Sequence, residues 1–318
     1  MLEILKNEKL SVDLWELFLK NKNGSFLQSS LWSDLKSEFG WSSERILILK
    51  DKEPICGAQI FFKNFYNFLK IAYIPRGPVG DENLEILIKE IIKMVKEKRV
   101  DFLKIEPPWE NNENFLKFFN FKKGKDIQVR TTVILDISSD DISKILNKKI
   151  RYEIRKAKES GIRVKYGSLN NLDNFYFILK STAKNKKFKI RPINYYRKFL
   201  EIFKENALLI FAEYNFKLIG SILVLRWNDT IYYLYGGSLQ EYKFLPISYV
   251  LQEEAILWGK SFGCKKYDLW GISENLPGVS RFKKNFGGEI LDFIGAWDLP
   301  FSKIKHLIFN LLYHARNI

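Results

Sequence analysis

The chain has 318 residues, 46% of them hydrophobic, enough for two domain-sized cores. Its 52 Lys+Arg against 37 Asp+Glu give a formal net charge of +15, which favours RNA, nucleotide phosphates or an anionic membrane surface as partner. Two widely separated cysteines, and two histidines confined to the tail (His306, His314), argue against a disulfide framework, a His-based triad and a zinc site. There is neither a membrane-length apolar run nor a signal peptide, so a cytoplasmic protein is expected.

In chain order, residues 12–22 carry Leu14, Trp15, Leu17 and Phe18 at helical spacing. Phe26-Leu27-Gln28-Ser29-Ser30 leads into a second helix over 31–39, with Ser30 as N-cap and Lys36 one turn from Trp32. Strands are predicted over 45–50, 55–62 and 69–74. After Pro75-Arg76-Gly77-Pro78-Val79-Gly80, residues 82–98 form an amphipathic helix, and strands follow over 101–106 and 128–137. Residues 138–161 are the boundary: Ser139 or Asp140 caps a helix that runs to Ser160, with Gly161 beyond it. Lys148, Arg151, Arg155 and Lys158 share one face of that helix, either a solvated face or a phosphate-binding stripe. Leu146, Ile150, Ile154 and Ala157 share the opposite, buried one.

The second half repeats the first. Strands over 207–214, 218–227 and 230–235, a break at Gly236-Gly237, a helix over 247–262 and a strand over 266–270 reproduce the earlier order. The separations Gly57 to Glu106 and Gly220 to Asp268 differ by a single residue, and each half ends on a strand with a carboxylate near its C-terminus. A meander, a helix and a returning strand form the pattern of the GNAT acyltransferase core. The expected fold is therefore α/β (α+β): two tandem GNAT-like domains with mixed sheets. The first spans 1–137 plus a returning tail helix within 297–318, and the second 138–296. The tail stripe Ile304, Leu307, Ile308, Leu311 and Leu312 is expected to pack on the first domain, with a membrane-surface role as the secondary reading.

The densest chemical signal lies between Lys265 and Gly288. Strand Tyr267-Asp268-Leu269 stops at Gly271, a mobile-looking segment holds Pro277 and Gly278, and Phe282-Lys283-Lys284-Asn285-Phe286 closes on Gly287-Gly288. A cation between aromatic anchors can present one charge to a reacting group; an ordinary surface loop is the bland reading. The two loops that would cradle acyl-CoA pyrophosphate are poor in suitable donors. Residues 75–81 contain two prolines and residues 238–248 no glycine, which argues against CoA as donor.

At this point the chain resembles the Fem aminoacyltransferases (FemABX), tandem-GNAT enzymes of peptidoglycan branch synthesis. The resemblance rests on residues 26–36, the basic segment 149–161, Leu234-Tyr235-Gly236-Gly237-Ser238, Tyr267-Asp268-Leu269-Trp270-Gly271-Ile272 and Phe282 to Gly288. It implies transfer of an amino acid from aminoacyl-tRNA to the stem-peptide amine of a peptidoglycan precursor, UDP-MurNAc-pentapeptide or lipid II, without metal or CoA. A monomer is expected, with peripheral contact at the inner face of the membrane as an option. Carried over, Lys283 beside Phe282 would sit at the reacting ester, Lys36 and Arg191 would bind precursor phosphates, and Tyr195 and Tyr235 would line the acceptor site. Glu106 takes the place of an acidic residue at the end of the first domain's last strand. The proton acceptor stays open among Asp268, Glu106 and the substrate, and Asp268 can equally serve only to orient the strand end. The tRNA would be held by Lys148, Arg151, Arg155 and Lys158 and by Lys-rich loops such as 184–189. Competing readings are a CoA-dependent GNAT with an atypical donor loop, and a non-catalytic binding protein on the same scaffold.

Overall fold

The computed structural model describes residues 1–65, 68–274 and 276–316, with side chains through Leu311 in the last helix. The chain divides into two compact units, Met1–Arg130 with Asp292–Ile318, and Thr131–Leu291. The first unit runs β1 (Leu2–Lys6), α1 (Val12–Asn21), α2 (Ser30–Ser37), β2 (Ser42–Lys50), β3 (Glu53–Phe65), β4 (Leu69–Pro75), β5 (Val79–Gly80), α3 (Leu84–Glu97), β6 (Phe102–Glu106), α4 (Glu113–Phe118) and β7 (Lys122–Lys123). The second runs β8 (Thr131–Asp136), α5 (Ile142–Ile145), α6 (Lys148–Glu159), β9 (Arg163–Gly167), α7 (Leu172–Lys186), α8 (Ile193–Phe203) and β10 (Ala207–Tyr214). It continues with β11 (Lys217–Trp227), β12 (Thr230–Ser238), α9 (Ile247–Ser261), β13 (Lys266–Ile272), α10 (Pro277–Asn285) and β14 (Glu289–Asp292). Finally β15 (Trp297–Pro300) and α11 (Lys303–Arg316) return to the first unit.

Each unit is built on one mixed sheet. The first has the order β1-β2-β3-β4-β6-β15-β7, with β5 on β3, and the second β14-β8-β13-β12-β11-β10-β9. Within them, β2-β3-β4-α3-β6 and β10-β11-β12-α9-β13 are the same motif, a meander whose last strand receives a parallel partner after a helix. This is the tandem GNAT-like architecture that the repeat predicts. In the first unit, Leu87, Ile88, Ile91 and Val95 of α3 cover Ile46, Ile48, Ala58 and Ile60 of the sheet. In the second, Val250, Leu251 and Ala255 of α9 join Ile150, Ile154 and Ala157 of α6 over Ile210, Ile222 and Val224. Apolar residues at helical spacing meet alternate residues of strands, so each element buries the face its periodicity marks.

The two copies differ where the parallel strands end. β4 and β6 stay paired from Ile71↔Phe102 to Pro75↔Glu106. β12 and β13 pair only from Thr230↔Lys266 to Tyr232↔Asp268, and then part. Past that point β12 remains on β11 through a bulge that leaves Leu234 opposite no single partner. β13 bulges between Asp268 and Gly271, with Trp270 at φ 61, and continues along β8.

Several boundaries move. The strand expected over 128–137 begins at Thr131 and joins the second sheet, so the first unit's opening segment ends at Arg130. The helix expected from 139 or 140 to 160 is two helices, because Asn147 accepts the Ile150 N–H (3.1 Å) and starts α6 afresh. Ser29, not Ser30, caps α2. Gly236 and Gly237 do not break the chain but lie inside β12, where a Cβ on Gly237 would stand 2.2 Å from Thr182 Oγ1 of α7. Pro277 and Gly278, read as mobile, open α10, since proline suits the first helical turn. On α11 most of the apolar stripe is not the packed face: Phe309 is buried and meets Phe102 at 4.8 Å between ring centroids and Ile308 is half-buried, whereas Ile304, Leu307 and Leu311 are exposed. Leu312 lies outside the described side chains.

Candidate active site

Where β12 and β13 part, the second unit holds a cavity of about 410 Å³ lined by Tyr233, Tyr235, Gly237, Thr182, Phe282 and Lys283, among others. Lys283 belongs to α10 and is buried at 7% exposure. Its ammonium donates to the Gly271 carbonyl (2.8 Å) and lies 5.3 Å from the centre of the Tyr233 ring. Burial pushes its pKa down to about 8, against the opposing pull of the Asp268 carboxylate. Phe282 packs edge-on to Tyr249 and Phe286, fixing the rotation of α10.

The carbonyl that holds Lys283 is itself held. Asp268 is buried, and its Oδ1 accepts from the Thr132 hydroxyl of β8 and from the Trp270 N–H (2.7 Å). That second bond secures the left-handed turn at Trp270, a conformation an aromatic residue rarely adopts unaided, and so aims the Gly271 carbonyl. Asp268 therefore acts as a strand-end anchor and as a countercharge. Gly288, at φ 90, lets the chain after α10 pass the Ile134 carbonyl, where a Cβ would stand 2.5 Å away.

Tyr235 connects the cavity to a cluster on α8. Its hydroxyl is hydrogen-bonded to that of Tyr195, and its ring stands edge-on to Tyr196 at 5.1 Å. The Arg191 guanidinium lies 5.7 Å from the Tyr195 ring, and the Arg191 N–H donates to the Tyr196 hydroxyl (3.2 Å). Burial raises both Tyr195 and Tyr235, keeping them neutral. Arg191, Tyr195 and Tyr235 thus come together, and Arg191 alone of the three is exposed.

A second cavity of about 380 Å³ adjoins the first, sharing Thr182, Lys186, Ser238, Ser248 and Phe282. Lys156, Lys186 and Lys243 contribute to its wall, as do Ile247 and Ser248 at the N-terminal end of α9. Three ammonium groups and the positive end of a helix, against the single carboxylate of Glu153, make this wall receptive to anions. The predicted stripe lies outside this wall. Lys148, Arg151, Arg155 and Lys158 are exposed on α6, with Arg155 near Glu159 (3.7 Å) and Lys158 near Glu253 (2.6 Å), while Lys156 faces the cavity. Sequence reasoning does not single out Thr182, Lys156 or Lys243. The signals are slight: a hydroxyl facing a strand glycine, and a lysine one step off the chosen face.

In the first unit, Lys36 and Lys63 flank one indole, with Nζ atoms 4.5 and 5.5 Å from the Trp41 ring. Trp41 in turn meets Tyr73 at 6.4 Å. The Tyr73 hydroxyl donates to Glu106, whose two oxygens also accept the N–H groups of Ile127 and Gln128. Burial raises the Glu106 pKa, and these donors oppose the rise. Glu106 is 2% exposed and engaged on both oxygens, the arrangement of an anchor for residues 127 and 128. Lys36 owes its place to the Phe26–Ser30 motif. Buried Gln28 donates to the Pro75 carbonyl (2.8 Å) and accepts the Gln59 N–H (2.8 Å), tying the start of α2 to β3 and β4.

The chain matches the FemAB family over residues 10–126, 116–219 and 217–314. It is 24% identical to a lipid II:glycine glycyltransferase of Staphylococcus haemolyticus, covering 92% of each chain. It is also 24% identical to a UDP-N-acetylmuramoylpentapeptide-lysine N(6)-alanyltransferase of Weissella viridescens, covering 84% of this chain and 85% of that one. Among solved structures it superposes on FemX with a TM-score of 0.83 at 20% identity, covering 99% of this chain and 100% of the other. A tandem GNAT protein from the clavulanic acid pathway gives 0.60 at 10% identity, over 94% and 98%.

Proposed function

The chain belongs to the FemAB family, and from that premise we propose that it transfers an amino acid from aminoacyl-tRNA to the side-chain amine of the stem peptide of a peptidoglycan precursor, UDP-MurNAc-pentapeptide or lipid II. The acceptor class is supported by relatives named for lipid II and for UDP-N-acetylmuramoylpentapeptide-lysine. The observation that carries the chemistry is Lys283, a buried ammonium in the wall of a cavity opened by diverging strands.

In this reading the acceptor amine attacks the carbonyl carbon of the ester. A carbon–nitrogen bond forms, and negative charge gathers on the carbonyl oxygen beside Lys283. Collapse of the intermediate breaks the carbon–oxygen bond and returns the ribose hydroxyl to the tRNA. The ester is already activated, so position matters more than a strong base. A fixed cation at the oxyanion contributes on the order of 3 kcal/mol. Asp268 and Glu106 hold strand ends, and the amine's proton leaves to the substrate or to water. On the second unit Arg191 holds acceptor phosphate, with Tyr195 and Tyr235 shaping the acceptor side of that unit's cavity; on the first unit Lys36 is a phosphate-binding cation. Lys156, Lys186 and Lys243 receive the phosphates of the tRNA's 3′ end, and the exposed face of α6, Lys148, Arg151, Arg155 and Lys158, follows the RNA further.

The test is direct. Purified protein is mixed with charged tRNA and, separately, UDP-MurNAc-pentapeptide or lipid II, and the precursor is weighed by mass spectrometry. A mass gain of one aminoacyl residue that disappears with Lys283→Met is expected. No gain with any charged tRNA, together with calorimetric binding of acyl-CoA, would overturn the reading in favour of the thioester donor.

A further inference from the structure

We propose that α11 docks the first unit on an anionic lipid surface. Packing of this helix is one-sided. Phe309 and His306 meet the Phe102 ring, at 4.8 and 5.0 Å between centroids. On the opposite side Ile304, Leu307 and Leu311, one per turn, are 75%, 61% and 61% exposed. Three large aliphatic side chains in line on solvent form an interaction face, not scattered surface residues. Phe68, beyond the neighbouring strand β3 and 51% exposed, adds to the apolar surface, with Lys305 Nζ 5.5 Å from its ring.

The charge around this face selects the occupant. Residues 301–318 contain Lys303, Lys305 and Arg316 and no aspartate or glutamate. Lys305 pairs with Asp101 (3.0 Å), and exposed Lys96 stands 5.9 Å from the Phe301 ring just before the helix. A cation-rimmed apolar face repels a second copy of itself and attracts acidic headgroups while its aliphatic row enters the acyl boundary. Among the described residues no helix is long and apolar enough to cross a membrane, so α11 lies on the surface. The inference goes beyond the transfer reaction and does not depend on it.

Flotation of the full chain with phosphatidylcholine vesicles, with and without phosphatidylglycerol, tests it. Binding to the anionic vesicles that weakens with salt is expected. Leu307→Glu with Leu311→Glu should lower partition by ~10-fold or more, as loss of two buried leucines predicts, with Tm unchanged because both positions are exposed. Lys283→Met should float like the wild type, and the double variant should keep transfer to the soluble nucleotide precursor. Failure of the wild type to float, or equal flotation of the double variant, overturns the proposal. So does a concentration-dependent dimer that the double variant abolishes without any vesicle binding.

Discussion

An ammonium in a partly apolar wall is a liability to the fold, and Lys283 illustrates how large. Its pKa in the native chain is about 8, against 10.5 for the ordinary group. Above pH 10.5 it is neutral in folded and unfolded chains alike and costs nothing. As pH falls toward 8, the unfolded chain takes up a proton that the folded one refuses. Below 8 the whole penalty stands, on the order of 3 kcal/mol. Lys283→Met should therefore raise Tm at pH 7, and the advantage should shrink as pH approaches 10.5. A constant difference across that range would contradict the assignment. In the proposed reaction the same titration governs activity. Single-turnover transfer should decline as pH rises through about 8, and Lys283→Arg, if accommodated, should carry the decline to higher pH. Thr132→Val removes one donor from Asp268 at nearly constant volume. A ~3–10-fold loss in kcat with little change in KM is expected, because Thr132 positions Lys283 only through Asp268 and the Gly271 carbonyl.

At the level of elements, the divergence of β12 from β13 is what a second hydrogen-bonded turn of sheet would abolish. In the first unit the corresponding strands stay joined to Pro75↔Glu106, and Glu106 spends its oxygens on Tyr73, Ile127 and Gln128. Glu106→Leu would strand those donors in a buried place, at a cost of about 3 kcal/mol or more. Urea unfolding should reveal that loss; a merely catalytic Glu106 would leave the midpoint unmoved. The meander strands are legible in the sequence because β-branched and aromatic residues alternate in short runs between turn residues. α7 is harder to read. Its buried positions Leu172, Phe175, Ile178, Leu179 and Ala183 share one stripe, but the exposed Phe177 on the opposite side blurs the contrast between the faces.

For the whole molecule, the net charge of +15 sets the electrostatics of any encounter with RNA. Affinity for tRNA should fall steeply between 50 and 200 mM salt, as log-linear counterion release requires. Replacing Lys156, Lys186 and Lys243 by alanine should reduce that salt slope by roughly two to three, about one per phosphate contact. Filter binding over a salt series measures it, and an unchanged slope would place the RNA elsewhere. The motif Phe282 to Gly288 likewise gains its meaning only at this scale. As sequence it is a basic-aromatic cluster. In the fold it is a helix whose one buried lysine reaches the carbonyl of a bulged strand.

The sequence by itself determined the duplicated meander–helix–strand order, the basic character, and the cluster around Lys283, since periodicity and residue type are local properties of a chain. Tertiary structure alone decided which strand pair opens, that Gly237 admits Thr182, that Lys156 and not Arg155 borders a cavity, and that Ile304, Leu307 and Leu311 of α11 face solvent. Those outcomes depend on which residues from distant segments come to share one small volume, and no window of sequence holds both partners.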